Sequence, residues 1–278
     1  MQRITKNITT QIKQSARFIK SKISTRPRIA IILGSGLGDF AETFSSKKII
    51  ETASIPHYPR STVEGHRGKL VFGKLDRLPL LAFQGRVHFY ESGNIETVVY
   101  PIRVAHALGI KTLIITNAAG GVNRSFAAGD LMLITDQINL TFENPLANLQ
   151  LSATAFRADR NLRLYDGGLQ RIIIKVAKKN KIALQSGVYC GVKGPSYETA
   201  AEIEMVRRIG GDAVGMSTVN EVSLATALGM RVAGISCITN LATGITNDKL
   251  SHDEVTEVAN RVKQTFTNLL QGIIKNIR

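Results

Sequence analysis

The chain has no tryptophan, two cysteines and seven prolines among 278 residues. It carries no acidic residue before Asp39. It has no apolar run of the roughly 18–20 residues that a membrane span needs, so a spanning helix is excluded. With only Cys190 and Cys237, a disulfide framework is excluded, and no metal-ligand spacing links the two. Both sit in apolar, strand-like stretches and are expected to be buried thiols. There is no internal repeat and no Gly/Ser/Pro linker, which excludes a solenoid and points to one domain over 1–278.

What the chain has in excess is positive charge: 36 Lys and Arg against 21 Asp and Glu, a formal +15. Nucleic-acid binding would want a block of five or six like charges, or aromatic residues interleaved with basic ones, and neither is present. The charge reads instead as lysine-rich solvated faces, whose field also concentrates small anions such as phosphate. The first 28 residues contain Arg3, Lys6, Lys13, Arg17, Lys20, Lys22, Arg26 and Arg28. That composition resembles a transit peptide. Ile4, Ile8, Ile12 and Ile19 recur near helical spacing, so a helix packed on the domain explains it equally well.

From residue 29 onward, short apolar runs alternate with amphipathic segments. Strands are expected at 29–33, 69–73, 78–83, 112–116, 131–135, 186–190, 212–215 and 232–238. Helices are expected near 3–22, 37–44, 94–108, 166–180, 198–209, 219–228 and 252–276. This pattern predicts an α/β fold with a mixed, mostly parallel sheet covered by helices. Residues 139–165 read as an irregular loop, usually a binding loop or a subunit contact.

Six segments could carry chemistry. Gly34-Ser35-Gly36-Leu37-Gly38 follows a buried strand. Its glycines let the backbone turn and expose N–H groups, and Ser35 adds a hydroxyl. It lacks the glycine spacing of a dinucleotide fingerprint and the Gly-Lys-Ser/Thr of a phosphate loop. In Gly85-Arg86-Val87-His88-Phe89-Tyr90, alternation along an extended piece places Arg86, His88 and Tyr90 on one face. A guanidinium gives planar donors to an oxyanion, and a neighbouring histidine can donate a hydrogen bond or move a proton. His66 lies in a glycine-flanked loop.

Asn117-Ala118-Ala119-Gly120-Gly121 ends another strand with small residues that permit close backbone approach. Gly194-Pro195-Ser196-Tyr197-Glu198-Thr199 enters a helix, where Glu198 either meets a ligand or favours the helix dipole. Gly215-Met216-Ser217-Thr218 and Ser236 to Gly244, with Asn240 inside it, are apolar strands that turn polar at their ends. His252 sits at an N-cap-like helix start.

Taken in order, these segments resemble the trimeric purine nucleoside phosphorylases, from about 30 to 138 and from about 186 to 256. The motifs are Leu-Gly-Ser-Gly-Leu-Gly, Gly-Arg-Val-His-Phe-Tyr-Glu, Thr-Asn-Ala-Ala-Gly-Gly, Gly-Pro-Ser-Tyr-Glu-Thr and Ile-Thr-Asn. The resemblance implies a phosphorylase-type fold with a distorted, barrel-like sheet surrounded by helices. It further implies a cytoplasmic homotrimer with no metal, no membrane and no nucleic-acid partner. Family members begin with a helix of about this length, which favours a packed helix over 1–28 rather than a transit peptide.

By motif match, phosphate is held by Ser35, His66, Arg86, His88, the backbone N–H of Ala118, and Ser217. The ribose meets Tyr90, Met216 and His252. The purine meets Glu198 and Asn240, with Tyr197 against its face. The implied reaction is phosphate-dependent cleavage of inosine and guanosine to free base and (deoxy)ribose 1-phosphate. Orthophosphate is then a co-substrate and no cofactor is used. His88, Glu198 and Asn240 carry the catalytic roles. No covalent nucleophile is needed, because phosphate attacks the sugar while the enzyme stabilises charge on the departing base.

Asn240 can donate to the purine nitrogen that gains charge, and Glu198 can accept from the ring N–H of a 6-oxopurine. An aspartate at 240 would serve a 6-aminopurine better, so adenosine is expected to be a poor substrate. Members of the family usually carry Arg-Phe-Pro-Asp before Ala-Tyr-Asp. Here Tyr165-Asp166 is in register, but the phenylalanine is displaced, leaving Phe156 as a substitute for the cross-subunit ribose contact. The alternatives are a methylthioadenosine- or xanthosine-preferring phosphorylase, a hydrolytic nucleosidase, and a basic nucleic-acid-binding protein that kept the fold.

Overall fold

The computed structural model describes residues 2–63, 67–146, 163–246 and 252–277, with 2–6 and 252–256 by backbone alone. Apolar runs too short for helices form the strands β1 (Ile29–Leu33), β4 (Leu78–Gln84), β5 (Thr112–Gly121) and β9 (Arg231–Leu241). These four run side by side in parallel in the order β4, β1, β5, β9. β1 is buried along its whole length, as expected of a strand covered on both faces. Ala30 and Ile32 face one apolar cluster, and Ile29, Ile31 and Leu33 face the other. That alternation follows from the two-residue period of a strand.

Strands β2 (Ser45–Glu51) and β3 (Lys69–Leu75) extend the sheet beyond β4 in antiparallel register. At the other side β6 (Leu131–Asn139), β7 (Leu184–Gly191) and β8 (Ala213–Gly215) lead from β9 back to β5. Because β5 also pairs directly with β9, the ring β5-β8-β7-β6-β9 closes into a barrel-like sheet. Among the described residues five pairings are parallel and four antiparallel, so the sheet is mixed with parallel pairs in slight excess.

Helices cover both faces. On one side α1 (Gln2–Lys22) packs against α3 (Ile95–Leu108), which also meets α6 (Val219–Ala227). Within α1, Ala16 and Ile19 are buried, and Ser15 bonds to the Tyr100 hydroxyl at 2.8 Å and donates to the Pro56 carbonyl. On the other side α4 (Gly167–Lys179) and α7 (His252–Asn276) pack together through Ile173, Leu269 and Ile273. The short α2 (Phe89–Ser92) and α5 (Ala200–Arg208) lie beside the site described below.

Three expectations are corrected. Residues 37–44 do not form an α-helix: a 3-10 segment, Gly38–Thr43, stands there, so the glycine loop does not open onto a helix dipole. β2 was not expected, because Ser-Ser-Lys-Lys-Ile-Ile-Glu is charged and only Ile50 is buried. It is an edge strand, where lysines guard the open side. β5 and β9 each run past their apolar stretch, so Asn117–Gly121 and Thr239–Leu241 are strand rather than turn.

Candidate active site

Parallel strands aligned in register deliver their carboxyl ends to one edge of the sheet. Leu33 is level with Gln84, and Ile32 with Ile115, so the chain after β1, β4 and β5 emerges at adjacent points. A cleft opens there. Its walls include Ser35, Arg86, His88, Tyr90, Ala118, Tyr197, Glu198, Met216, Ser217 and Asn240. These are all of the sequence-predicted site residues except His66 and His252. His66 lies outside the described residues, as does Phe156, and His252 is described only as the first residue of α7.

The glycine loop enters the cleft because its residues are small. A Cβ on Gly34 would lie 2.8 Å from the Asn117 Cα, which no side chain tolerates, and Gly36 has φ +74°. The Gly34 N–H donates to the Thr116 hydroxyl at 3.2 Å, which donates to the Ile32 carbonyl at 2.9 Å. Ser35 is thereby held half-buried beside β5.

Arg86 is buried, and its nearest partners belong to the protein. Its guanidinium donates to Glu221 at 3.3 Å, to the Thr218 hydroxyl at 3.2 Å and to the Thr116 carbonyl. Glu221 is 2 % exposed, so the two charges form a buried pair that cancels within the wall of the cleft. Sequence reasoning missed Glu221. Its one signal was Thr218-x-x-Glu221, a capping box at the start of α6. That signal reports the cap and is silent on an arginine 135 residues away.

His88 ends the extended piece that alternation suggested: its own backbone is extended, but Tyr90 already lies in α2. It is the N-cap of α2, and its ring stacks on Tyr90 with centroids 5.0 Å apart. Glu91 faces it: the carboxylate accepts from the His88 backbone N–H at 2.6 Å and lies 3.4 Å from Nδ1. The same carboxylate accepts from the Ser61 hydroxyl and from the N–H and hydroxyl of Thr62. Burial opposes ionisation of Glu91, but the donors of His88 and Thr62 outweigh it and hold its pKa at about 2.

At the other end of the cleft, Thr199 is the N-cap of α5, and Glu202 returns the cap by accepting from the Thr199 N–H at 2.7 Å. The capping work therefore falls to Glu202, and Glu198 is left at the cleft wall, half-buried. Burial, helped by the negative charge of Glu202, pushes the Glu198 carboxyl above the ordinary glutamate range.

Asn240 has its amide orientation set by neighbours. Thr239 donates to its Oδ1 at 3.0 Å, and its Nδ2 donates to the Leu241 carbonyl at 3.2 Å. An amide carries two N–H bonds, so a second N–H remains beyond the one given to Leu241. Gly194 lets Met216 and Tyr90 pack against the backbone there, since a Cβ would clash with the Met216 Sδ and fall 3.1 Å from the Tyr90 Cδ1.

Cys190 and Cys237 are buried free thiols, and burial pushes both to about 12. Among the described residues no cluster of three or more His, Cys, Asp or Glu is placed to hold a metal ion.

Residues 28–275 match the family model of the phosphorylase superfamily. The chain is 49% identical to purine nucleoside phosphorylase 1 of Bacillus subtilis over 95% of its own length and 97% of the relative's. It is 38% identical to the purine nucleoside phosphorylase of Rattus norvegicus over 95% and 94%. A crystal structure of Schistosoma purine nucleoside phosphorylase in complex with hypoxanthine superposes with a TM-score of 0.89, at 35% identity over 96% and 97% of the two chains. Another, from Schistosoma mansoni in complex with adenosine, gives 0.86 at 34% identity over the same shares. The chain belongs to the phosphorylase superfamily and, within it, to the purine nucleoside phosphorylases.

Proposed function

We propose that this protein cleaves 6-oxopurine nucleosides with orthophosphate, releasing the base and (deoxy)ribose 1-phosphate, as a pentosyltransferase of purine salvage. The observation that carries the reading is one cleft lined at one end by Ser35, Arg86, His88, Ala118 and Ser217 and at the other by Glu198 and Asn240. Because Glu221 offsets the charge of Arg86, phosphate is gripped largely by neutral donors, the hydroxyls of Ser35 and Ser217 and the Ala118 N–H, with His88 beside them. His66 is assigned to the same anion by its motif. Tyr90, Met216 and His252 meet the ribose, and Tyr197 meets the face of the base.

In the reaction the anomeric carbon becomes cation-like while the base leaves with negative charge. The second N–H of Asn240 serves that developing charge, and Glu198 accepts from the ring N–H. Neither role requires a cofactor, and orthophosphate is the co-substrate. The named relatives do not favour the methylthioadenosine or xanthosine alternative.

The working unit is one domain over 1–278 in a cytoplasmic homotrimer. Sedimentation at about three times the chain mass is the expected result. The absence of a helix long and apolar enough to cross a membrane, among the described residues, supports the assignment away from membranes. Inosine turnover with and without phosphate tests the reading. Hypoxanthine release should require phosphate, and release that persists without it would make the protein a nucleosidase.

A further inference from the structure

The strongest feature outside the roles above is Thr218. Its φ of +77° is one that a threonine rarely adopts. The Val219 N–H donates to the Ser217 carbonyl at 2.9 Å, so Ser217-Thr218-Val219 form a γ-turn of the strained, positive-φ kind. The turn is held on every side. Glu221 accepts from the Thr218 N–H, Arg86 donates to the Thr218 hydroxyl at 3.2 Å, and Asn117 Nδ2 donates to the same oxygen at 2.8 Å. Thr218 is completely buried and does not line the cleft.

A hydroxyl has one hydrogen and two lone pairs. Arg86 is a donor only, and with Asn117 it occupies both lone pairs of Thr218. Among the described residues, the polar partner left to the Thr218 hydrogen is Ser217 Oγ, 3.1 Å away. Thr218 must then donate to Ser217. Ser217, which lines the cleft and also lies against the Tyr189 hydroxyl, then accepts from Thr218 and keeps its own hydrogen to donate.

We propose that Thr218 is a positioning residue for the anion: it fixes the direction of a chain of hydrogen bonds running from Arg86 through Thr218 and Ser217 to bound phosphate. The proposal rests on the phosphate reading of this cleft. In it, Arg86, though its net charge is offset by Glu221, orders the Thr218 hydroxyl, which in turn orders Ser217. The strained turn is kept because a relaxed one would carry the Thr218 oxygen off the Arg86–Asn117 pair.

The test is a double-mutant cycle on the full chain, read by calorimetric binding of inorganic phosphate and by KM for phosphate and for inosine. T218V, which keeps the shape and loses the hydroxyl, should weaken phosphate by about 10–100-fold with KM for inosine changed by less than about threefold. T218S should restore phosphate binding to within about threefold of wild type. In an S217A background, T218V should add less than about threefold, because the group it aims is gone.

An unchanged phosphate affinity in T218V overturns the proposal, as does an equal loss for phosphate and inosine. Full additivity with S217A overturns it too. Should T218V fail to fold, T218S and T218A carry the cycle, with loss expected only in T218A. If wild type binds no phosphate, the functional reading itself fails. If wild type binds phosphate and T218A matches it, the inference alone fails.

Discussion

The amide of Asn240 shows how one neighbour can set the sign of a contact. With Thr239 donating to Oδ1 and one N–H given to Leu241, Asn240 keeps a second N–H, which suits an acceptor nitrogen on a leaving purine. Asn240→Ala should lower kcat for inosine by on the order of 10²–10³, the cost of losing one donor to developing charge. Asn240→Asp replaces that donor with an acceptor, and the ratio of adenosine to inosine kcat/KM should rise.

Glu198 makes a second prediction with a definite sign. Burial raises its pKa, so the protonated form persists to higher pH than for an exposed glutamate. A protonated carboxyl is a poorer acceptor for the ring N–H. The kcat/KM for inosine should therefore fall on the acid side at a pH above the ordinary glutamate range, and the residual activity of Glu198→Gln should lack that limb. Thr239 and Leu241 flank Asn240 in sequence, and Glu202 follows Glu198 by four residues. The sequence places Glu198 and Asn240 at the ends of elements, while the neighbours that define their edge and charge come from capping and strand register.

At the scale of elements, apolar runs with β-branched residues were enough to locate β1, β4 and the first halves of β5 and β9. Their second halves were not legible. Asn117 to Gly121 has the composition of a turn, and it is strand only because β9 runs beside it with a register shift between Ala119 and Gly120. A partner more than a hundred residues away decides that, and local propensity cannot report it. β2 was hidden for a related reason, since an edge strand needs little apolar surface. The candidate site was more legible than the fold, because its residues cluster at strand ends where small and polar residues interrupt apolar runs. Glu221 escaped because a carboxylate in the first turn of a helix looks like any capping residue until its arginine is known.

Glu91 joins two such elements, holding the loop at Ser61 and Thr62 to the start of α2. Its pKa is depressed to about 2, below the value in an unfolded chain, so the unfolded state binds the extra proton in acid. The stabilisation is fully present above the ordinary carboxylate range and is lost as pH falls towards about 2. Glu91→Gln should cost about 1.5–3 kcal/mol at neutral pH by denaturant unfolding. The gap to wild type should narrow as pH is lowered, and an equal gap at both ends would assign the loss to packing.

For the whole molecule, the +15 charge is the property least explained by any one contact. Most described ion pairs are exposed and contribute little to stability, so the excess acts chiefly as a long-range field. Within the cleft wall, Arg86 is offset by Glu221, and the site itself is closer to neutral than its motif implies. The two substrates proposed for it differ in charge: phosphate is an anion and inosine is neutral. A field generated far from the site should therefore act on one and not the other. Screening shortens its reach from about 10 Å at 0.1 M salt to about 3 Å at 1 M. The kcat/KM for phosphate should fall severalfold across that range while the kcat/KM for inosine, at saturating phosphate, stays nearly level. Stopped-flow or steady-state measurement of both across a salt series checks it. A parallel fall in the two would place the salt effect on the fold or the assembly rather than on the approach of the anion.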